Sequence, residues 1–336
     1  MITDIDMLYN RHLLSLHQIK THFGPVDDTH VFHTTEIFQT AEFFFQVVEA
    51  LQSEEVDFIP LKGPVLSHLL YQDCSSRRFY DLDFLVDFGS MERCSRLLDN
   101  LGYHSVWEWP TTRAEKKRLR QSMHHLPFQH PKERTDVEIH WRLFARYKFP
   151  DMDFAKLYKE HTVPYTLDGY SFRKLSNELE LLFLLIHGAK HAWFRIKWLV
   201  DVNDYIKNVA VDFDALRDLA AQNGFLNRID YYNTMAETYI PDACTIPGKR
   251  RAIPNYLKRY ANNEIRKPQK DSRIPVKKSI GTLAKTCRTE FYLATNFYCK
   301  YRAVKIFFSG ALPKKLVRLL RPIVRFLDNA MKNEVV

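Results

Sequence analysis

Two stretches decide the fold: Phe58-Ile59-Pro60-Leu61-Lys62-Gly63-Pro64-Val65-Leu66 and, further on, Asp81-Leu82-Asp83-Phe84-Leu85-Val86-Asp87. The first reads as a short apolar strand over 56–61, closed by Lys62-Gly63-Pro64. Proline has a fixed φ and no N–H, so Pro64 suits the first position of a following helix, predicted over 65–71. The second stretch alternates with period two. It places Leu82, Phe84 and Val86 on one face of a strand and Asp81, Asp83 and Leu85 on the other. Together they form a strand–turn–helix–strand unit with acids on one face of its second strand.

Working outward, apolar spacing predicts helices over 5–23, 35–51 and 91–101. Strands are predicted over 104–109, 123–130 and 135–143, with a polar helix or loop over 111–121. The last two strands are joined through Pro131-Lys132-Glu133-Arg134. Beyond about residue 150 strand signals fade, and 177–191, 195–207 and 213–239 read as helix. Pro247, Pro254, Pro268 and Pro275 fall among basic residues over 246–280, which predicts irregular or broken helix there. Helix is expected again over 282–308 and 314–331, with a kink at Pro322. The expected fold class is α+β: a mixed sheet with flanking helices, followed by a mainly helical domain. The expected divisions are 1–32, 33–150, 151–245 and 246–336.

Composition narrows the classes. The chain has 336 residues, 46% of them hydrophobic, so it can bury a core. Ten glycines without a repeat exclude collagen-like and low-complexity classes. The longest purely apolar run, 181–186, is far short of the ~18 residues of a bilayer span. Acidic residues Asp4 and Asp6 stand where an export signal carries basic ones, so a cytoplasmic location is expected. The five cysteines contain no C-x-x-C pair, which suggests neither a disulfide framework nor a cysteine zinc site.

Charge is unevenly placed. The net +9 divides into +17 over 245–336, from 22 basic and 5 acidic residues, and −8 over the rest. Such a basic third suggests a polyanionic partner, nucleic acid or an anionic membrane surface; a solvated basic face is the alternative. Tyr256, Tyr260, Phe291, Tyr292, Phe297 and Tyr298 are interleaved there, as base-stacking groups or as core. The run Lys314-Lys315-Leu316-Val317-Arg318-Leu319-Leu320-Arg321 suits a membrane surface, a phosphate backbone or a cover over the helical domain, the last being favoured.

Three features fall in order on alternating elements: Lys62-Gly63 at the turn, Asp81 and Asp83 on the next strand, and Asp136-Val137-Glu138-Ile139-His140 on a later one. Residues two apart share a strand face, so Asp136, Glu138 and His140 point the same way. Clustered carboxylates repel unless a cation lies between them, and hard oxygen donors suit Mg²⁺. A third carboxylate from a neighbouring strand completes a two-metal donor set for phosphoryl transfer. Each feature alone has an ordinary alternative, a solvated face or a simple turn; the ordered combination carries the reading.

These residues resemble the uncharacterised nucleotidyltransferase family of the DNA polymerase β-type superfamily. The likeness lies in Leu61-Lys62-Gly63, then Leu70-Tyr71, then Arg77, then Asp81-Leu82-Asp83-Phe84-Leu85-Val86. It continues in Val137-Glu138-Ile139-His140-Trp141, in His187-Gly188-Ala189-Lys190-His191-Ala192-Trp193 and in Lys197-Trp198-Leu199-Val200-Asp201. It covers about residues 35–207. The resemblance implies transfer of a nucleoside monophosphate from an NTP, ATP foremost, with Mg²⁺ or Mn²⁺, to an acceptor that the sequence does not name. It implies Asp81, Asp83 and Glu138 as metal-binding acids, Lys62 and Gly63 as the triphosphate-facing turn, and Arg77 as a phosphate-steering group. Two departures from the wider superfamily stand out: Gly63-Pro64 lacks one backbone donor, and the gap from Gly63 to Asp81 is long.

His187 and His191 share a helix face, but a zinc-protease motif needs Glu after the first His, and Gly188 stands there. The expectation is that His187 and His191, with Lys190, Arg195 and Lys197, line a cleft between two domains and hold nucleotide or acceptor, as does His140, against the alternative of packed, satisfied histidines. His124, His125 and His130 flank Pro127 and are assigned nothing beyond lining the site. The alternative function is a non-catalytic module of this fold that grips nucleic acid or another polyanion through its basic third.

Overall fold

The strand β1 (Phe58–Leu61) runs antiparallel to β2 (Asp81–Val86), with Leu61 opposite Asp83. The computed structural model describes residues 4–26, 34–132, 135–144, 153–267, 280–296, 299–301 and 303–304. The connecting helix α3 (Gly63–Tyr71) begins two residues earlier than the spacing predicts, because the Lys62 carbonyl already accepts from the Leu66 N–H at 3.1 Å. The turn is tight. Gly63 has φ +53°, where glycine meets no steric penalty. Lys62 beside it has φ +59° and ψ −129°, a conformation that a residue with a Cβ rarely holds.

β2 pairs parallel with β5 (Asp136–His140), so that Asp81 lies opposite Asp136 and Asp83 opposite Glu138. β4 (His125–Gln129) adds antiparallel to β5, and the short β3 (His104–Ser105) adds to β4. The sheet order is β1-β2-β5-β4-β3, mixed as expected. The strand expected over 104–109 pairs only at its start, and Val106 and Trp107 are exposed.

The two sheet faces pack differently. Leu82, Phe84, Val86, Val137 and Ile139 pack beneath α2 (Thr34–Ser53) and α4 (Met91–Asn100). Phe44 stacks on Phe84 with centroids 5.5 Å apart, and Phe84 is fully buried; its truncation to alanine costs about 3–5 kcal/mol at such a site. On the other face Ile59, Leu61 and Leu85 join the core of the helical region. The acids of β2 lie on this second face, which turns them toward the helices.

Four helices build most of that region: α7 (Asn177–Lys190), α8 (Ile196–Asn208), α9 (Phe213–Gln222) and α10 (Leu226–Tyr239). The single helix expected over 213–239 is thus two. Gly224, at φ +75°, breaks it. The helix expected over 5–23 is also split, into a π-helical turn (Met7–Arg11) and α1 (Leu16–Phe23), which Ser15 and Gln18 cap reciprocally. The polar segment is α5 (Arg113–Ser122), and α6 (Phe154–Glu160) follows the sheet.

One expectation is overturned. Strand does not end near residue 150: β6 (Thr162–Leu167) and β7 (Tyr170–Leu175) form a hairpin, with Leu167 and Phe172 in the core beneath α2. Its turn is Asp168-Gly169, both at positive φ, a pair that the right-handed twist of hairpins favours. That signal stands in the sequence between alternating residues.

In the basic third, α11 (Asn255–Arg266) and α12 (Ile280–Leu293) are helical, so the prolines leave one intact helix between them. Leu257, Ala261, Ile265 and Leu293 are buried in the helical core, and Arg228 of α10 pairs with buried Glu290 at 3.0 Å. The segment 314–331, with Phe297 and Tyr298, lies outside the described residues. Among the described residues no helix is long and apolar enough to cross a membrane.

Candidate functional site

The site forms where β2 and β5 run side by side. Parallel pairing in register brings the Asp83 and Glu138 side chains to the same face, and His140 follows two residues along β5. His140 Nε2 lies 3.3 Å from Asp83 Oδ1 and 3.3 Å from Glu138 Oε2. Lys62 Nζ reaches back from the turn to Asp83 Oδ2 at 3.3 Å. On its other side Lys62 Nζ lies 3.4 Å from His187 Nδ1 of α7. One lysine therefore links the turn, the acid strand and the helical region.

The electrostatics follow from this crowding. Burial opposes the charge on Asp83, but Lys62 and the His140 hydrogen bond outweigh it and hold its carboxyl well below the usual range. Asp81, at the start of β2, is pushed up, by crowding among its neighbours first and then by the Asp83 charge. Burial disfavours the His140 imidazolium, but Asp83 and Glu138 overcome that and raise it to about 9. His187 moves the other way: burial, then Lys62, holds it well below its ordinary value, so a neutral ring accepts from the Lys62 ammonium.

Donor atoms of Asp83, Glu138 and His140 converge within 4.8 Å of one another, as do those of His124, His125 and His140. Asp81 belongs to neither group. It stands two residues from Asp83 on the same face and faces Asp136 across the ladder. Asp83 and Glu138 both raise the proton affinity of Asp81, and carboxylates that repel one another in this way form a donor set suited to a hard divalent cation.

Lys62, Asp83, Glu138, His140 and His187 come together as described. Gly63 shapes the turn beneath Lys62. The His191 ring packs, tilted, against His187 and Trp198, its centroid 5.0 and 5.1 Å from theirs. Arg77 and Lys197 both meet Asp201. The Arg77 fork grips Asp201 through Nε and Nη2, both at 2.9 Å, and Lys197 Nζ meets Asp201 Oδ2 at 2.9 Å. All three are buried. Sequence reasoning gave Asp201 no role, although Lys197 and Asp201 stand four apart, the helix spacing for an ion pair.

Gly188 also gains a reason. A Cβ there would lie 1.9 Å from the Trp193 ring, so the glycine admits Trp193 against α7. Of the three histidines assigned no role, His125 Nε2 lies 3.6 Å from Glu138 Oε2, and His124 touches His125. His130 is elsewhere, against Tyr103.

Residues 34–241 match the family described as uncharacterised nucleotidyltransferase. No curated protein matches the chain. Among solved structures, the lincosamide antibiotic adenylyltransferase LnuA with bound lincomycin is 15% identical, with a TM-score of 0.31, over 43% of this chain and 85% of that one. The solution structure of the antibiotic-resistance factor ANT(2'')-Ia is 10% identical, with a TM-score of 0.39, over 55% and 91%. The crystal structure of ANT(2")-Ia with adenylyl-2"-tobramycin is 12% identical, with a TM-score of 0.39, over 55% and 95%.

Proposed function

The chain belongs to the uncharacterised nucleotidyltransferase family, and from that premise we propose that it transfers a nucleoside monophosphate from an NTP to an acceptor hydroxyl or phosphate. The observation that supports this reading is the register of β2 on β5, which sets Asp83 opposite Glu138 on the face that carries Asp81. An acceptor oxygen, giving up its proton to solvent where it is a hydroxyl, forms a bond to the α-phosphorus, the bond from that phosphorus to the α,β-bridging oxygen breaks, and pyrophosphate leaves.

In this reading Asp81, Asp83 and Glu138 hold Mg²⁺ or Mn²⁺. A divalent ion held there would supply charge neutralisation for the phosphates. Lys62, held between Asp83 and His187, supplies a point charge toward phosphate. His140 holds Asp83 and Glu138 in place by donating to them. Arg77 and Lys197 act at one remove. Through Asp201 they tie α8 to the segment leading into β2, and so fix where Asp81 and Asp83 begin. We further propose that 33–150 carries the transfer chemistry, that 151–245 forms the opposite wall, and that 246–336 is an extension. The non-catalytic polyanion reading rests on the +17 charge and the interleaved aromatics, and Leu257, Ala261, Ile265 and Leu293 of that region belong to the helical core.

The test is incubation of the full-length protein with each α-labelled NTP and Mg²⁺ or Mn²⁺, read as bound nucleotide, labelled protein or released pyrophosphate. Binding of at least one NTP that needs the divalent ion is expected, lost in Asp83→Asn. No ion-dependent NTP binding with any of the four would overturn the proposal.

A further inference from the structure

We propose that Arg195, laid against the rings of Phe194 and Trp198, anchors a phosphate of the substrate through the unpartnered edge of its guanidinium. The inference rests on the transferase reading for the identity of the anion, and it adds a second phosphate contact to that of Lys62.

Arg195 immediately precedes α8, and its guanidinium carbon lies 5.3 Å from the Phe194 ring centroid and 5.7 Å from that of Trp198. Those two rings meet edge to face, 4.8 Å apart. A planar cation held over aromatic faces keeps its in-plane N–H donors for another partner. The Arg195 Nε is buried and donates to nothing among the described residues. The first amide of α8, the Ile196 N–H, already donates to His12 Nδ1 at 3.3 Å. The side chain, rather than the helix end, is therefore what an anion meets.

The neighbouring arginines are engaged elsewhere. Arg11 lies over the same Phe194 ring at 5.0 Å, but its Nε and Nη2 donate to the Lys267 and Glu264 carbonyls at 3.1 and 3.0 Å. Arg77 holds Asp201, and Arg78 donates to the Tyr9 carbonyl and the Tyr80 hydroxyl. Desolvation opposes the Arg195 charge and Arg11 opposes it further, whereas Asp81 and Tyr80 favour it. A desolvated cation of this kind gains when an anion answers it, because charge-assisted hydrogen bonds are the strong ones.

The surroundings connect this guanidinium to the acids. Asp81, whose charge Arg195 feels, is the first residue of β2. Trp198 packs against His187 with centroids 5.1 Å apart, and His187 Nδ1 lies 3.4 Å from Lys62 Nζ. One continuous wall thus runs from Arg195 through Trp198 and His187 to the lysine at the turn. A substrate with several phosphates needs more than one cation, and Lys62 already faces Asp83. A guanidinium offers two parallel N–H groups to one phosphate, which an ammonium does not.

Inorganic pyrophosphate is the probe, titrated calorimetrically into the full-length protein at ~150 mM salt without a divalent ion. Saturable binding is expected. Arg195→Gln should weaken it about tenfold or more, the scale of one lost hydrogen bond to a charged group. Arg195→Lys keeps the charge but not the planar fork, and should weaken it less. Arg250→Gln, at an exposed arginine paired with Glu237, should bind as the wild type does. The same titration with a non-hydrolysable NTP analogue and Mg²⁺ identifies the source. A parallel loss in Arg195→Gln assigns the phosphate to the nucleotide; a loss for pyrophosphate alone assigns it to a phosphorylated acceptor. Circular dichroism identifies a variant that has lost its fold. No pyrophosphate binding by the wild type overturns the anchor. So does wild-type affinity in folded Arg195→Gln, or in Arg195→Lys where the first does not fold. The transferase reading fails separately, through absence of ion-dependent NTP binding, and pyrophosphate binding lost in Arg195→Gln leaves the anchor standing even then.

Discussion

Asp83 and Asp201 are both buried aspartates held by basic partners, yet they keep opposite electrostatic company. Around Asp83 acids outnumber the lysine: Asp81 and Glu138 share its face, and Lys62 with His140 answers them. Around Asp201 the balance reverses, with Arg77 and Lys197 on one carboxylate. The second cluster continues through Gln18, Tyr71 and Asp204 to His22, with Tyr71 donating to Asp204 at 2.6 Å and His22 2.7 Å from it. Asp201 is closed off at 1% side-chain exposure, while Glu138 beside Asp83 retains 27%. A closed, buried network that pairs its charges fixes a fold. A half-open one with surplus carboxylate has capacity left for a cation and its ligands. The difference separates two functions that the residue types alone do not separate.

The largest expected effect breaks the comparison at its open end. Asp83→Asn removes one donor charge and almost no volume, so transfer should fall by about 10³-fold or more, the scale of losing one electrostatic stabiliser of a transition state. The melting temperature should fall, because Lys62 and His140 lose the carboxylate charge that they hold low. Full NTP turnover by this variant would show that the carboxylate set is not the site.

The matching substitution at the closed end should act on stability. Asp201→Asn leaves Arg77 and Lys197 buried without their counter-charge, a change worth about 3–5 kcal/mol. Chemical denaturation measures it. The effect also carries a pH signature. Burial resists the Asp201 charge, but Arg77 and then Lys197 hold it at about 2. Its stabilisation is therefore present above the ordinary carboxylate range of about 3.9 and is lost as pH falls toward 2. The variant should lack that acid loss.

His140 gives the next effect, with the opposite sign. Its value of about 9 in the folded chain lies above the ordinary 6.5. Its contribution is full below pH 6.5 and disappears as pH rises through 9, on the order of 1–3 kcal/mol. Urea midpoints at pH 6 and pH 9.5 in metal-free buffer should differ for the wild type, and His140→Gln should reduce the difference. Equal reductions in Asp83→Asn and His140→Gln would sharpen the comparison by placing both in one coupled unit.

The smallest effect concerns Lys62. Lys62→Ala should raise the KM or Kd for NTP about tenfold while leaving the ion requirement in place, since a phosphate contact at a partly exposed lysine is worth roughly 1–2 kcal/mol. Isothermal titration with a non-hydrolysable NTP analogue reads it. Unchanged affinity would place the triphosphate away from the turn, toward the His191 and Trp198 side.

Much of this arrangement is legible in the amino-acid order alone. The alternation of Leu82, Phe84 and Val86 against Asp81 and Asp83 dictates which residues of β2 share a face, because a strand's period leaves no other choice. Gly63-Pro64 marks the turn, and Glu138 with His140 marks one face of β5. The hairpin is legible too, through Asp168-Gly169, but its strands carry exposed polar residues that read as loop. The pairing of Arg77 and Lys197 with Asp201 is not legible, for a different reason. A lone basic residue looks the same whether it faces phosphate or a buried aspartate.

Local pattern therefore determined the elements, their faces and the acids they carry, because those depend only on chain periodicity and turn chemistry. Tertiary structure alone decided the neighbours. It set Asp83 beside Glu138 through a parallel pairing that spans most of the sheet domain. It set His125 beside His140 through the register of an antiparallel pair, and it set Arg77 against Asp201 by docking α8 on the segment before β2. Each contact joins residues distant in sequence, and its distance and charge balance arise only when the core packs, since no local periodicity encodes them.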